Sequence, residues 1–109
     1  ERNRTTVNEQ SLLLYKVQGT PFYATFYNGL PVGGVNDRLI GGTLRKRFTE
    51  ATMANKVHAK TGYITNVYTL SGYVTTKAGN EVIFSIMVHN KPGAIKGIDQ
   101  TVKAIYNMY

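Results

Sequence analysis

The sequence predicts an α+β fold in which a three-stranded antiparallel sheet has helices before and after it. Three runs rich in Val, Ile, Thr and Tyr, at 57–65, 67–76 and 81–89, have the composition of β-strands. The stretch after them repeats apolar residues at three- and four-residue spacings, which is typical of a helix packed on one face. Helix-start signals and aromatic clusters precede the strands.

The first predicted helix begins near the N-terminus. Thr6 and Glu9 fit a capping box, because a Thr hydroxyl accepts from an amide three residues on while the Glu side chain reaches back. The apolar run 12–17 then continues as a short helix, which is expected to end near Gly19.

A second helix is predicted to start at Thr20 and Pro21, with Thr as the N-cap and Pro at the first helical position. Its broad apolar face is aromatic and consists of Phe22, Tyr23, Phe26 and Tyr27. Gly and Pro punctuate residues 30–42, which indicates a loop. Residues 43–48 are expected to form one or two helical turns with a basic outer side.

Residues 77–80, Lys-Ala-Gly-Asn, are a good hairpin connection, so the second and third strands are expected to pair antiparallel. Both faces of the third strand are apolar enough to be covered. One face carries Val82, Phe84, Ile86 and Val88, and the other carries Ile83, Ser85 and Met87.

The C-terminal segment is predicted to be a helix that covers one face of the sheet. Its apolar stripe consists of Ile95, Ile98, Val102, Ile105 and Tyr109. Lys96, Asp99 and Lys103 fall outside that stripe.

Composition limits the classes of protein and partner. The 109 residues suffice for one domain, and 42% hydrophobic with 17% charged residues is ordinary for a globular chain. A net charge of +7 favours acidic partners such as nucleic acid, anionic lipid or an anionic wall polymer. The absence of cysteine excludes disulfides, thiolate metal sites and a cysteine nucleophile. Because the chain begins without Met or an apolar signal core, we expect a removed targeting segment or a start inside a longer protein.

The string Lys60-Thr61-Gly62 lies on the first predicted strand, ahead of the hairpin and the closing helix. In that context, and with the segments 30–32 and 42–45 upstream, the chain resembles the penicillin-binding D-alanyl-D-alanine carboxypeptidase/endopeptidase family of low-molecular-mass class C penicillin-binding proteins, which are serine peptidases. The resemblance runs from about Thr6 to the end. It implies that the strands form part of a serine-transpeptidase/β-lactamase-like sheet.

Two other signatures of penicillin-interacting serine enzymes, S-x-x-K and an S-D-N-like triplet, do not occur in the sequence. Ser11, Ser71 and Ser85 are followed three places on by Leu or Val, never Lys. We therefore expect residues 1–109 to be the C-terminal portion of a single, incomplete transpeptidase-like domain. The nucleophile would lie on the remainder of the protein, and this chain alone would be inactive.

The resemblance implies a role for each residue of the motif. Lys60 would anchor the terminal carboxylate of a peptide ending in D-Ala-D-Ala, together with the hydroxyl of Thr61. Gly62 would let an extended peptide approach the strand edge closely. Tyr63 would contribute its backbone N–H to the oxyanion hole. The expected catalytic residues are thus Lys60 and Tyr63, and the expected substrate-binding residues are Thr61 and Gly62.

The activity implied by the resemblance is acyl transfer to serine from a peptidoglycan stem peptide, followed by hydrolysis, with β-lactams forming a slow acyl-enzyme. The expected partners are that peptide, β-lactams and the N-terminal remainder carrying S-x-x-K, with no nucleic acid. No cofactor or metal is implied, and the expected location is the cell envelope outside the cytoplasmic membrane. The alternative is a non-catalytic basic β-module that binds nucleic acid or teichoic acid.

Several other residues have simpler structural interpretations. His58 shares a strand face with Lys60, yet a structural role is favoured over proton transfer. The basic run 45–47 is interpreted as a solvated face. Tyr63, Tyr68 and Tyr73 are explained by packing better than by a nucleic-acid stacking platform.

Overall fold

The computed structural model describes residues 7–109, apart from the side chains of Val7, Asn8 and Ile64. The predicted α+β class is confirmed. The elements, in chain order, are α1 Val7–Gln18, α2 Tyr23–Asn28, a 3-10 turn Gly42–Leu44, β1 Val57–Ile64, β2 Val67–Thr75, β3 Glu81–His89 and α3 Ala94–Met108. The predicted capping box depends on Thr6, which lies outside the described residues. Within the described residues no helix is both long and apolar enough to cross a membrane.

The sheet has the order β1-β2-β3 with both pairs antiparallel, as predicted for the second and third strands. A two-residue turn joins β1 to β2, and Thr65 and Asn66 both adopt left-handed φ values, 47° and 69°. Such a turn matches the twist of a tight hairpin, and Asn tolerates the conformation better than most residues. The β2–β3 connection turns at Gly79, whose φ is 90°.

One face of the sheet packs against α3, and Ile98, Val102 and Tyr106 are the helix residues buried there. The strands contribute Val57, Ala59, Leu70, Val74 and Phe84 to this core. The predicted stripe is wrong at its two ends, because Ile95 is 42% exposed and Tyr109 is 59% exposed. Ile95 lies in the first turn, beside an open groove, and Tyr109 follows the last helical residue, so neither lies over the sheet.

The other face of the sheet packs against α1 and α2 through a second cluster centred on Leu14, Leu30 and Tyr73. Tyr73 is fully buried, and its hydroxyl donates to the Leu14 carbonyl at 2.8 Å, which ties α1 to β2. Ile83 of β3 packs on this cluster while Phe84 belongs to the α3 core. The prediction that both faces of β3 are covered is confirmed.

The second helix begins two residues later than predicted, with Phe22 in the N-cap position. Thr20 does not cap it. Its hydroxyl donates to the Val17 carbonyl at 2.8 Å and accepts from the Phe22 N–H at 3.3 Å. The hydroxyl therefore serves the turn that follows α1, and α2 begins only when that turn is complete.

The segment before β1 contains less helix than predicted, and part of it is buried. Only Gly42–Leu44 is helical, and Phe48 is buried with a left-handed φ of 58°. A Cβ at Gly34 would lie 2.4 Å from the Phe48 carbonyl oxygen, so the loop requires glycine there.

The interpretation of 45–47 as a solvated face is wrong for Arg47. Its Nε donates to both carboxylate oxygens of Asp99 at 3.1 Å. Its guanidinium carbon lies 5.7 Å from the centre of the Phe48 ring. Arg47 thus connects this segment to α3.

Two glycine substitutions should have opposite effects on stability. A Cβ at Gly72, in the middle of β2, would lie 2.2 Å from the His58 carbonyl oxygen and 2.5 Å from Ala59 Cα. Gly72→Ala is therefore expected to lower the free energy of unfolding by about 1–3 kcal/mol. Gly97 in α3 has open space around the same position, so Gly97→Ala should raise it by about 0.5–1 kcal/mol. Urea unfolding of both variants measures the difference, and a Gly72→Ala chain as stable as the parent would contradict the close β1–β2 approach.

Candidate active site

The four residues of the predicted site lie on β1, which is an edge strand of the sheet. The outer side of its first half pairs with the segment 31–33. Ala59 N–H donates to the Pro31 carbonyl at 3.0 Å, and the Val57 carbonyl accepts from Gly33 N–H at 2.8 Å. Backbone groups of alternate residues in a strand point to the same side. The N–H and C=O groups of Thr61 and Tyr63 therefore point outward too. No other segment of residues 7–109 pairs with that part of the edge.

The side chains of Lys60 and Thr61 lie on opposite faces of the sheet. Lys60 is exposed and pairs across the strands with Ser71, on the face that carries α1. Thr61 lies on the α3 face, and its hydroxyl donates to the hydroxyl of Thr43 at 3.2 Å. A single group that contacts both side chains must therefore lie at the open edge between them.

Gly62 lies in close contact with a side chain of β2. A Cβ there would lie 2.5 Å from Thr69 Oγ1, which is closer than real side chains come. Next to this pair, the hydroxyls of Ser71 and Ser85 are 2.9 Å apart. Lys60 therefore lies beside a strip of hydroxyl groups on the same face of the sheet.

The side chain of Tyr63 is held away from Lys60, on the opposite face of β1. Its ring lies 4.9 Å from that of Tyr68, and its hydroxyl donates to Asn66 Oδ1 at 3.2 Å. Asn90 approaches the same hydroxyl at 3.4 Å. The ring is 53% exposed and supports the hairpin end, whereas the backbone N–H is available at the edge.

The ring of His58 stacks on that of Tyr27, with centroids 4.2 Å apart and planes inclined by 23°. Burial is the main cause that lowers the pKa of His58 below its usual value. Its Nδ1 is buried without a hydrogen-bond partner in the described part of the chain. These contacts favour the structural interpretation of His58 as a neutral packing residue.

Glu81, at the start of β3, joins the two N-terminal helices. Its Oε2 accepts from the Tyr23 hydroxyl at 2.6 Å and from Gln18 Nε2 at 2.8 Å. Burial and the adjacent carboxylate raise the pKa of Tyr23 above its usual range. This network positions α1 and α2 and lies apart from the open edge of β1.

The described residues contain no group of three His, Cys, Asp or Glu side chains arranged to hold a metal ion. The chemistry available at the edge is therefore that of one ammonium group, several hydroxyls and the free backbone groups of β1.

Sequence reasoning missed the neighbours that border the motif. Thr43 and Pro31 belong to the segments that carried the family resemblance, but nothing in their spacing shows that they contact β1. For Ser71, the sequence shows only that no lysine follows it at the third position. Ser71 lies opposite Lys60 because of the pairing register of the β1–β2 hairpin. That register can be assigned only when the turn is known to consist of Thr65 and Asn66.

A family model described as D-Ala-D-Ala carboxypeptidase 3 (S13) matches residues 1–107. The chain belongs to the S13 family. A D-alanyl-D-alanine carboxypeptidase from Actinomadura sp. (strain R39) is 36% identical over 91 residues, which cover 84% of this chain and 17% of that relative. The penicillin-sensitive carboxypeptidase A of Dictyostelium discoideum is 38% identical over 72 residues, which cover 58% of this chain and 14% of that protein. The chain thus spans about a sixth of the length of these S13 relatives.

Solved structures confirm the predicted fold family. Penicillin-binding protein 4 from Haemophilus influenzae matches 94% of this chain with a TM-score of 0.77 and 19% identity, over 24% of its own length. A predatory peptidoglycan endopeptidase from Bdellovibrio bacteriovorus matches 94% of the chain with a TM-score of 0.68 and 24% identity, over 27% of its length. At these identities the likeness concerns the fold.

The pH dependence of stability should report the environment of His58. Because burial favours the neutral ring, the folded chain binds this proton more weakly than the unfolded chain, whose histidine has a pKa of about 6.5. The stabilising contribution is therefore complete above pH 6.5 and is lost as the pH falls through the lowered folded pKa. His58→Phe keeps an aromatic ring against Tyr27 but has no group that titrates. Its free energy of unfolding, measured by urea titration, should therefore fall less between pH 7 and pH 5 than that of the parent chain. Parallel curves for parent and variant would show that His58 titrates normally.

Proposed function

We propose that this chain is the K-T-G portion of a serine-type D-alanyl-D-alanine carboxypeptidase that acts on peptidoglycan peptides and is acylated by β-lactams. The observation that carries the proposal is the open edge of β1, which begins where the motif begins. Thr61 and Tyr63 present backbone groups there, next to the exposed ammonium group of Lys60. Membership of the S13 family supports the same activity.

The edge suits an extended peptide. A substrate strand laid along β1 would exchange main-chain hydrogen bonds with Thr61, as in β-strand addition. Its terminal carboxylate, placed at the open edge, would accept from Lys60 and from the Thr61 hydroxyl, which lie on either side of that edge. For this the Thr61 hydroxyl would turn its hydrogen from Thr43 to the carboxylate and could then accept from the Thr43 hydroxyl. These contacts orient the scissile bond, and Lys60 binds charge without attacking carbon.

The backbone N–H of Tyr63 is proposed as one oxyanion donor. It points outward two residues beyond Thr61, at the position that the carbonyl oxygen of a bound peptide can reach. A fixed N–H stabilises the negative charge that develops on that oxygen, and it needs no rearrangement at the moment of reaction. The second donor and the nucleophilic serine would come from the remainder of the protein.

None of the serines in this chain has the setting of the nucleophile. Ser71 and Ser85 bond to each other, and no lysine follows any serine at the third position. We therefore propose that residues 1–109 form one incomplete domain, inactive alone and completed by an S-x-x-K-bearing partner segment. The complete protein would act in the cell envelope, outside the cytoplasmic membrane, where peptidoglycan lies. The penicillin-binding protein 4 of Haemophilus influenzae has been solved in complex with a β-lactam, which supports β-lactams as ligands.

Replacing Lys60 should weaken acylation in the complete protein. Lys60→Ala removes a charge-assisted contact worth roughly 1.5–3 kcal/mol, so kcat/KM should fall about tenfold to a hundredfold, and Lys60→Arg should lose less. The matched control is Lys91→Ala, an exposed lysine outside β1. Acylation is followed with a labelled penicillin by intact-mass spectrometry, with the isolated 109-residue chain as the blank that forms no adduct. Wild-type acylation by Lys60→Ala would rule out this motif as the carboxylate site.

Two substitutions at Tyr63 separate its backbone from its side chain. Tyr63→Phe removes only the hydroxyl bonded to Asn66 and should leave turnover nearly unchanged. Tyr63→Pro removes the outward N–H, and losing one oxyanion donor costs about 10²–10³ in kcat. Because that N–H does not pair with β2, proline at an edge position of this kind spares the β1–β2 ladder.

Thermal melting provides the control for Tyr63→Pro, which must still unfold cooperatively. Ile64→Pro, one residue on, removes a ladder N–H and should destabilise the hairpin more. A folded Tyr63→Pro enzyme with wild-type turnover would refute the oxyanion assignment.

A further inference from the structure

The hydroxyl of Thr61 lies between the open edge of β1 and a second threonine. Its oxygen is 3.2 Å from the hydroxyl oxygen of Thr43, and among the side chains that the structure describes Thr43 is its hydrogen-bond partner. A hydroxyl has one hydrogen and two acceptor lone pairs, so it can donate to one group while it accepts from another. Thr61 can therefore bond to a ligand at the edge and keep its bond to Thr43.

The charge of a ligand determines the direction of these hydrogen bonds. An ionised carboxylate has only acceptor oxygens, so a carboxylate at the edge takes the single hydrogen of Thr61. The bond between the two threonines then has Thr43 as the donor and Thr61 as the acceptor. Each bond in such a series polarises the next, and a bond to a charged acceptor is stronger than a bond between neutral groups.

The backbone around Thr43 is fixed, and its side chain is free to face Thr61. Thr43 is the middle residue of the 3-10 turn Gly42–Leu44. Gly42 has a left-handed φ of 51°, and its carbonyl accepts from Arg45 Nη1 at 3.1 Å. Leu44 is fully buried in the core that contains α3, whereas the Thr43 side chain is exposed. The turn thus holds the Thr43 hydroxyl in place, although that side chain is not part of the core.

We propose that Thr43 is a positioning residue of the carboxylate site. It acts through Thr61: by donating to the Thr61 oxygen, it holds the Thr61 hydrogen toward the carboxylate of a peptide or of a penicillin. Without the Thr43 hydroxyl, binding would also have to fix the orientation of the Thr61 hydroxyl, which costs affinity. No proton is transferred. The inference rests on the proposed function and deepens it, since it adds a residue to the same site.

The pair of hydroxyls predicts a preference for ligands that carry a free carboxylate. The methyl ester of the same ligand has no charge and offers Thr61 a weaker acceptor. The contribution that Thr43 makes through Thr61 is therefore larger for the acid than for the ester. A threonine that only supported local packing would affect both ligands equally, so the ratio of the two rates distinguishes the roles.

The test is acylation of the complete protein by a labelled penicillin and by its methyl ester, followed by intact-mass spectrometry. The two adducts differ by the mass of one methylene group, so acid formed from the ester is recognised. Thr43→Val keeps the branched shape and removes the hydroxyl. Its rate constant for the acid should fall about three- to tenfold, the contribution of one such hydrogen bond, and the acid-to-ester ratio should fall as well. Thr43→Ser keeps the hydroxyl and should have the ratio of the parent.

The matched control is Thr49→Val, which removes a hydroxyl from an exposed position on the same segment, whereas the Thr61 hydroxyl bonds to Thr43. It should leave both rate constants unchanged. Thermal melting of each variant measures any effect on stability separately. A partly unfolded variant loses both rates by the same factor, so unfolding alone does not change the ratio.

An unchanged acid-to-ester ratio in Thr43→Val would overturn the positioning role, whatever happens to the individual rates. A Thr43→Ser protein as defective as Thr43→Val would also overturn it, because the hydroxyl would then not be the group that matters. The proposed function is tested separately by Lys60→Ala in the same assay. A loss with Lys60→Ala and none with Thr43→Val would leave the carboxylate site in place and remove Thr43 from it. A parent protein that forms no adduct would overturn both.

Discussion

The close approach of β1 to β2 at Gly72 is the constraint on which the rest of the site depends. With no side chain at Gly72, the backbone of Ala59 lies where a Cβ would otherwise be, and the two strands keep their pairing up to the Thr65–Asn66 turn. β1 is therefore held firmly from one side. On the other side the segment that pairs with β1 stops at Ala59, so the strand is paired along one side and open along the other where Lys60-Thr61-Gly62 begins. The peptide-binding role proposed for this edge needs both properties, because ordering an unpaired strand on binding costs free energy.

The parts of the fold that were predictable from the sequence are those determined by local composition. The three strands lie within one residue of their predicted bounds, because runs of β-branched and aromatic residues end at clear turn signals. The placement of Lys60-Thr61-Gly62 on the first strand followed directly. The start of α2 was not predictable, because the Thr20 hydroxyl could either cap α2 or bond within the turn that follows α1. In the structure it bonds within that turn.

Contacts between distant segments were also beyond the sequence. Arg47 and Asp99 are 52 residues apart, and each has an ordinary surface setting when its neighbours in sequence are considered alone. Thr43 reaches Thr61 only because the segment 31–33 pairs with β1 and brings the following loop alongside. Such contacts depend on how elements pack, and no period or motif in one sequence encodes that packing.

The left-handed turn at Thr65 and Asn66 sets the pairing of β1 with β2, and so determines which side chains lie on each face of β1. Side chains alternate along a strand, so a shift of the hairpin by one residue would send Lys60 to the α3 side and Thr61 to the α1 side. The chain would keep its strand content and its far-ultraviolet spectrum, yet the ammonium group would lie on the α3 face, away from the Ser71 hydroxyl. Correct assembly of this portion is therefore a matter of strand register, which far-ultraviolet circular dichroism does not detect.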